Sequence, residues 1–308
     1  MKQEKQIHKT SIGGQALIEG VMMRGPKTTA MAVRNPEGEI VLEKWDTPSN
    51  KKARIFKLPF IRGIFNMVDS LRDGYKCLMR SAEIAGLEDA EEKDEGKNKF
   101  IMGILMVLSV IFAVVLSVGL FIYLPSLLFR LLAGAVPSLD NRVWRGIFEG
   151  CLRIIIFVGY MCVMLLMKDI RRTFMYHGAE HKTIFCYEAG LELTVENVRK
   201  MRRFHPRCGT SFMILVLLVG IIVSMFISVD APLLRTAIKL LTLPIVVGVG
   251  YELIKFAGRH DNVLTRIISA PGVWLQRITT IEPDDGQIEC AITALSETLT
   301  GNREDDKW

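Results

Sequence analysis

From Phe100 to Phe129 the chain runs without a charged residue. That exceeds the roughly 20 apolar residues that carry a helix across a bilayer. In lipid, only a helix or a closed barrel satisfies its own backbone. The run predicts a span near 100–124, ended by Pro125. Ser211 to Val229 gives a second clean span, near 211–229. Ile154 to Met167 is charge-free but short. Extended back to Ile147 it makes a span near 147–167, with Glu149 and Arg153 four apart on one face. There they pair, or Arg153 snorkels to the interface. Leu233 to Phe256 holds Arg235 and Lys239 near one end and Glu252 and Lys255 near the other, and gives a span near 236–256. The expected fold class is an α-helical polytopic membrane protein of about four transmembrane helices, with a small N-terminal cytoplasmic α+β region.

Half of the residues are apolar although 23% are charged, so charge and apolar runs are segregated. This excludes a disordered chain, a collagen-like chain and a small disulfide scaffold. The net charge of +6 matters less than its placement. Met1 to Lys99 holds 18 Lys/Arg, Lys168 to Arg207 holds nine and Lys255 to the C-terminus six, whereas the other two connections hold few. Basic residues stay on the cytoplasmic side. The expected location is therefore the cell membrane, multi-pass, with both termini and the central segment cytoplasmic. The competing reading is a soluble protein with buried helices. Met1 to Ser11 is polar and does not read as a secretory signal. The six cysteines show no CxxC spacing, which fits a reducing compartment.

Three regions follow from this topology. Residues 1–99 form a cytoplasmic N-terminal region. Within it, 12–45 reads as a β hairpin or small sheet, with turn signals at Gly25-Pro26 and Asn35-Pro36-Glu37-Gly38. Residues 61–82 carry apolar positions at helical spacing, as a helix lying on the membrane or packed on the sheet, and 86–99 reads as a charged linker. Residues 100–259 form the transmembrane domain, interrupted by a cytoplasmic loop, 168–210, that contains three of the five histidines. Residues 260–308 read as a cytoplasmic tail with one short helix around Ile288 to Leu299.

Chemistry concentrates in that loop. In Tyr176-His177-Gly178-Ala179-Glu180-His181 the two histidines lie one helical turn apart and can grip one transition metal. Glu180 then stands beside the ion as a general base for an activated water. This is the H-x-x-E-H spacing. The competing reading is a pair of surface histidines in a basic loop. Gly178 counts against a helix there. His205 and Cys208 follow in Arg203-Phe204-His205-Pro206-Arg207-Cys208-Gly209, directly before a span, and either can complete a metal site. Against this, His205 is one more polar residue of a cationic collar and Cys208 an inert small residue. Glu252 is a further ligand candidate, because an ionisable group inside an apolar run is costly. An ion pair with an Arg or Lys is its alternative. His260 and Asp261 follow two turns later as further candidates. The remaining basic residues suit anionic headgroups at the inner leaflet. No phosphate loop and no aromatic-interleaved basic patch points to nucleic acid.

Gly13-Gly14-Gln15-Ala16-Leu17-Ile18-Glu19-Gly20-Val21-Met22-Met23-Arg24, His177-Gly178-Ala179-Glu180-His181-Lys182-Thr183 and Arg203 to Ser211 resemble the YqhQ-like bacterial membrane proteins (domain of unknown function 1385). Trp274-Leu275-Gln276-Arg277 and Glu282-Pro283-Asp284-Asp285 resemble the same family. The resemblance covers nearly the whole chain. It implies a bacterial integral membrane protein and a metal-dependent enzyme, without a substrate. It also marks Gly13 to Arg24 as a signature, whose ionisable members are Glu19 and Arg24. That segment either folds across the cytoplasmic mouth and lines the site, or is a hairpin that needs its glycines for backbone reasons.

Two functions are consistent with these residues. The first is a membrane metal-dependent hydrolase. His177 and His181 hold a divalent transition metal, zinc or another first-row ion, with His205 or Glu252 as third ligand and Glu180 as base. Its substrate is a lipid headgroup ester or a peptide bond near the inner leaflet. The second is a non-enzymatic scaffold or transport-associated subunit with a structural metal or none. Cys208 as a fourth ligand closes the shell and favours the second. The expected partners are membrane lipids, with oligomerisation open.

Overall fold

The computed structural model describes residues 8–48, 58–87, 98–139, 141–229, 231–260 and 262–308. Strands β1 (Gly13–Leu17), β2 (Gly20–Arg24), β3 (Thr28–Arg34) and β4 (Ile40–Asp46) form an antiparallel meander in chain order. The expected turns fall between β2 and β3 and between β3 and β4. In the latter, Asn35 Oδ1 accepts from Glu39 N at 2.7 Å and Gly38 takes φ +87°.

Both faces of the sheet are covered. Leu17, Met22, Met31 and Val33 pack with Cys77 of α1 (Ile61–Ile84). Val21, Met23 and Ala32 share a larger core with α5 (Lys168–Glu188), α6 (Val195–Lys200) and α10 (Asp285–Ser296), through Tyr176, Ala179, Phe185, Val198, Ile288, Ala291 and Leu295. A sheet with an apolar face must bury it against a second layer. Residues from 168–201 and 284–299 supply that layer, so they are structured parts of the sheet domain rather than a loop and a tail. Some charges that made 168–210 read as a loop are consumed in ion pairs to the C-terminal segment, Arg199 with Asp285 and Arg203 with Glu282. The short C-terminal helix begins three residues earlier than expected, at a capping box of Asp284 and Gln287. A further helix, α9 (Val263–Thr279), precedes it, and the sequence reading did not anticipate it.

Helix α1 reconciles two expectations. Its small residues Gly63, Gly74, Cys77, Ser81 and Ala82 face the protein, while Val68, Leu71 and Tyr75 stay exposed. It is packed on the sheet and presents an apolar stripe outward. The expected charged linker at 86–99 falls largely on 88–97, outside the described residues.

The apolar segment is built from α2 (Asn98–Val118), a π-helical turn (Gly119–Tyr123), α3 (Leu124–Ala135), α4 (Arg142–Met164), α7 (Gly209–Met225) and α8 (Pro232–Arg259). Among the described residues, three helices are long and apolar enough to cross a membrane: Gly103–Ala135, Arg142–Met164 and Leu233–Arg259. Gly209–Met225 is apolar but shorter. The first run does not end at Pro125, as expected, but continues to Ala135. The π turn absorbs the proline. A helical proline clashes with the carbonyl four residues back and cannot donate to it. Here that carbonyl, of Phe121, accepts instead from Arg153 Nε at 2.9 Å. Arg153 also pairs with Glu149 at 3.4 Å, and Lys239 and Arg235 of α8 converge on the same carboxylate. Glu149 is fully buried there. The expected Glu149–Arg153 pair is thus half of a four-residue charge network that joins α4 to α8.

Candidate metal centre

His177, Glu180 and His181 project from one face of α5, at the spacing of a single turn. Gly178 is glycine for a steric reason. A β-carbon there would strike the backbone carbonyl of Ile281, and Ile281 N donates to Phe174 O at 2.9 Å, which fixes that extended segment against the helix. Glycine is thus required by a close approach and does not break the helix.

Three donor atoms, from His177, His181 and Cys208, lie within 4.8 Å of one another. Each histidine is oriented from behind. His177 Nδ1 pairs with the carbonyl of Thr279 at 2.8 Å, and His181 Nδ1 with that of Arg203 at 2.5 Å. A carbonyl accepts only, so each Nδ1 carries a proton, and Nε2 is the ring atom each histidine offers to Cys208 or to a cation. His177 Nε2 lies 3.1 Å from Cys208 Sγ. His181 Nε2 is buried without a hydrogen-bond partner. A buried polar atom left unpaired costs about 1–3 kcal/mol, and a cation among these three donors would satisfy it. Two imidazoles and a thiolate, with backbone carbonyls behind the imidazoles, form a donor set that suits zinc.

The electrostatics match. Burial raises the Cys208 thiol, but His177 and His181 override it and bring the group well below its ordinary value. Burial depresses His177, yet Cys208, Glu180 and the Thr279 carbonyl push it up to about 9. The pair thus favours thiolate, the form that binds metal. Glu180 is raised by burial against the opposing pull of the two histidines and of a hydrogen bond from Gly14.

His205 stands beside the triad without joining it. Its ring lies 5.5 Å from that of His181 and stacks on Phe185 at 4.6 Å. Its backbone N donates to Gln276 Oε1, and Gln276 Nε2 donates back to its carbonyl, both at 2.7 Å. Burial and the neighbouring Arg207 and His181 bring it down to about 4, so it is neutral at physiological pH. Behind it Glu188 is fully buried between Arg207 and His205.

Glu252 is placed elsewhere. Its carboxylate accepts from Arg62 Nε at 2.7 Å and Phe60 N at 3.2 Å, and pairs again with Arg62 Nη2. This is the ion-pair alternative, with an arginine from α1, and it leaves the carboxylate outside the cavity. His260 caps α8 on the surface and its Nδ1 pairs with Phe256 O. Asp261 lies outside the described residues.

The glycine-rich signature is the β1–β2 hairpin. It is a tight turn and also a wall of the site, so both readings of it hold in part. Gly13 and Gly14 line the cavity, and a β-carbon on Gly14 would come within 2.9 Å of the Glu180 side chain. Glu19 occupies the turn at φ +50° and is held there by Arg172 at 2.5 Å and Tyr176 OH at 3.2 Å. Arg172, against the cost of burial, keeps its carboxyl below the ordinary range. Arg24 pairs with Asp73 at 3.4 Å beside a second, smaller pocket. Neither reaches the triad. Sequence reasoning did not single out Thr279 and the carbonyl of Arg203, because a backbone acceptor leaves no trace in residue type.

The triad opens on a cavity of about 700 Å³, lined by β1, α1, α5 and the start of α7, with His177, Glu180, His181 and Cys208 on one wall. The family model for "Protein of unknown function (DUF1385)" matches residues 58–301. The chain belongs to the DUF1385 family. Among its DUF1385 relatives, the uncharacterized protein YqhQ of Bacillus subtilis (strain 168) is 35% identical over 299 residues, covering 93% of this chain and 92% of that protein. No solved structure matches the chain. His177, Glu180, His181 and Cys208 lie inside the matched DUF1385 region, whereas the cavity wall that β1 supplies precedes it.

Proposed function

We propose that this protein is a membrane-embedded metal-dependent hydrolase working at the cytoplasmic face. The observation that carries this reading is the convergence of two imidazoles, each held through Nδ1 by a backbone carbonyl, and the Cys208 sulfur beside an open cavity. Three protein donors leave a position open, as catalytic zinc sites do. A divalent ion held by His177, His181 and Cys208 would supply Lewis acidity and a more acidic water. Glu180 would then accept a proton at a carboxylate oxygen, and Gly14 N–H holds that carboxylate in place. Its raised pKa moves it toward the range of an effective general base.

The cationic segments fit an inner-leaflet setting. With Gly209–Met225 counted, the chain has four apolar helices; 17 residues rise roughly 25 Å, short of a bilayer core of about 30 Å but within reach of a thinned one. The exposed stripe Val68, Leu71 and Tyr75 of α1 lies in the interface. Both termini are then cytoplasmic by the placement of Lys and Arg.

Two observations favour other readings. Cys208 within the donor set favours a structural metal in a scaffold, but a structural site needs a fourth protein donor, and His205 is withheld by Glu188 and Arg207. The 3.1 Å contact between His177 and Cys208 at the N-cap of α7 favours a thiol nucleophile. That reading leaves His181 Nε2 without a task. The test is elemental mass spectrometry on detergent-purified protein. Near-stoichiometric metal that is lost in His177→Ala/His181→Ala and in Cys208→Ser supports the centre. Glu180→Gln should keep the metal and lose turnover of ester substrates. Wild type without metal after reconstitution, but with Cys208 alkylated rapidly by iodoacetamide, would transfer the site to the thiol reading.

A further inference from the structure

Beside the metal cavity lies a second hollow of about 400 Å³, lined by Phe121, Phe157, Tyr160, Phe212, Val216 and Val247 among others. No polar atom faces it. Its walls come mainly from three of the apolar helices, α4, α7 and α8, and from the π turn after α2. Met67 of α1 and Met213 of α7 line both this hollow and the metal cavity. The two spaces therefore meet at a pair of methionines, the side chain that yields most readily to a passing apolar group.

We infer that this hollow is the channel through which the long acyl chain of a membrane lipid enters, so that the substrate of the metal centre is a lipid held by its tail. The inference rests on the hydrolase reading for the chemistry, and on geometry for the tail. An apolar hollow between membrane helices is filled by something apolar, and each methylene buried there contributes about 0.8 kcal/mol. The lining selects the occupant. Walls that present no polar atom, joined past Met67 and Met213 to a cavity that holds polar groups, match an acyl chain that ends in a polar head. The polar end of such a lipid arrives where Gln15, Ser70 and Thr210 line the same cavity as Glu180.

The test uses full-length protein in detergent and a long-chain fatty acid with a terminal diazirine. After illumination, cross-linked residues are mapped by peptide mass spectrometry, with metal content measured on the same samples. Labels should fall on Phe157, Phe212 or Val216, be displaced by excess unlabelled long-chain fatty acid, and resist a short-chain one. Met213→Trp, which fills the passage, should lose labelling on the cavity side while keeping its metal; Phe157→Ala, which widens the hollow, should keep both. Labels confined to the outer faces of α2, unchanged in Met213→Trp, would overturn the inference, as would displacement by an apolar helical peptide but not by fatty acid. Specific labels on metal-free wild type would uphold the channel while sinking the hydrolase reading. Metal without specific labels would do the reverse.

Discussion

Gly178→Ala separates the packing argument from helix propensity, because the two predict opposite signs. In a helix interior, alanine is favoured over glycine by about 1 kcal/mol. If α5 were an independent helix, the substitution would stabilise it. In the structure the new methyl meets the carbonyl oxygen of Ile281, a backbone atom that cannot rotate aside. Overpacking of a tight interior costs about 1–3 kcal/mol, and a backbone neighbour puts this case near 3. The balance is a loss of about 2 kcal/mol. At about 2–4 °C per kcal/mol for larger domains, the melting temperature falls by roughly 4–8 °C. The same push displaces the segment that carries Thr279, whose carbonyl orients His177. Losing such a contact behind a ligand costs about 10–100-fold in metal affinity. The assay is thermal unfolding in detergent with and without zinc, followed by competition with a chelator of known affinity. An unchanged or raised melting temperature, with wild-type zinc affinity, would refute the placement of Ile281 against α5.

Two other buried charges give predictions of different sign and origin. Glu149→Ala removes the carboxylate shared by Arg153, Arg235 and Lys239, and breaking a buried pair from one side costs about 3–5 kcal/mol; expression and melting temperature in detergent should both drop, more than for Glu196→Ala on the exposed surface. Glu188 opposes the cost of burial with His205 and Arg207, which hold its carboxyl below the ordinary value. A depressed folded pKa contributes stability above the unfolded value, roughly pH 4.3, which is lost as pH falls through the lower folded one. Unfolding followed from neutral to acid pH should therefore show a decline below about pH 4.3 that is reduced in Glu188→Gln; an equal decline in both would show that other carboxylates set it.

The long-range features were legible where one residue type carries the physics. Long apolar runs gave the apolar helices, Gly-Pro and Asn-Pro-Glu-Gly gave the turns, and the spacing of His177 and His181 gave two of the three donors. Cys208 was among the candidates but could not be ranked over His205, because their places are decided by Glu188 and Arg207, which claim His205. Glu252 looked anomalous in an apolar run, and it is, but its partner Arg62 lies 190 positions away in sequence. Pro125 was read as a stop because a proline breaks a regular helix. Nothing local announces that a π turn precedes it and that Arg153 takes the orphaned carbonyl. The largest misreading, of 168–210 and 260–308 as loop and tail, has one cause. Their apolar residues are spaced for a core whose other half is the sheet at 13–46, and separated halves of a core look like weakly amphipathic, charged segments when read alone.

That division of the core explains why the candidate metal centre sits where it does. Its donors come from α5 and from the residue that caps α7, while the carbonyls behind them come from Arg203 and from Thr279 at the end of α9. An ion at this point would tie the sheet domain to the start of α7 and the end of α9. Any ligand that binds only the folded state stabilises it, by about 2.7 kcal/mol at a hundredfold excess over its dissociation constant. Removal of the ion should therefore loosen the junction before the sheet. Amide hydrogen exchange of zinc-loaded and chelated protein should show faster exchange after chelation in 201–211 and 276–283, and little change in β2 and β3, whose buried ladder has its own core. Uniform acceleration across the chain would mean that the ion holds the whole fold together. No change at the junction, with metal demonstrably removed, would mean that the ion contributes nothing to it and that the convergence of the three donors needs another cause.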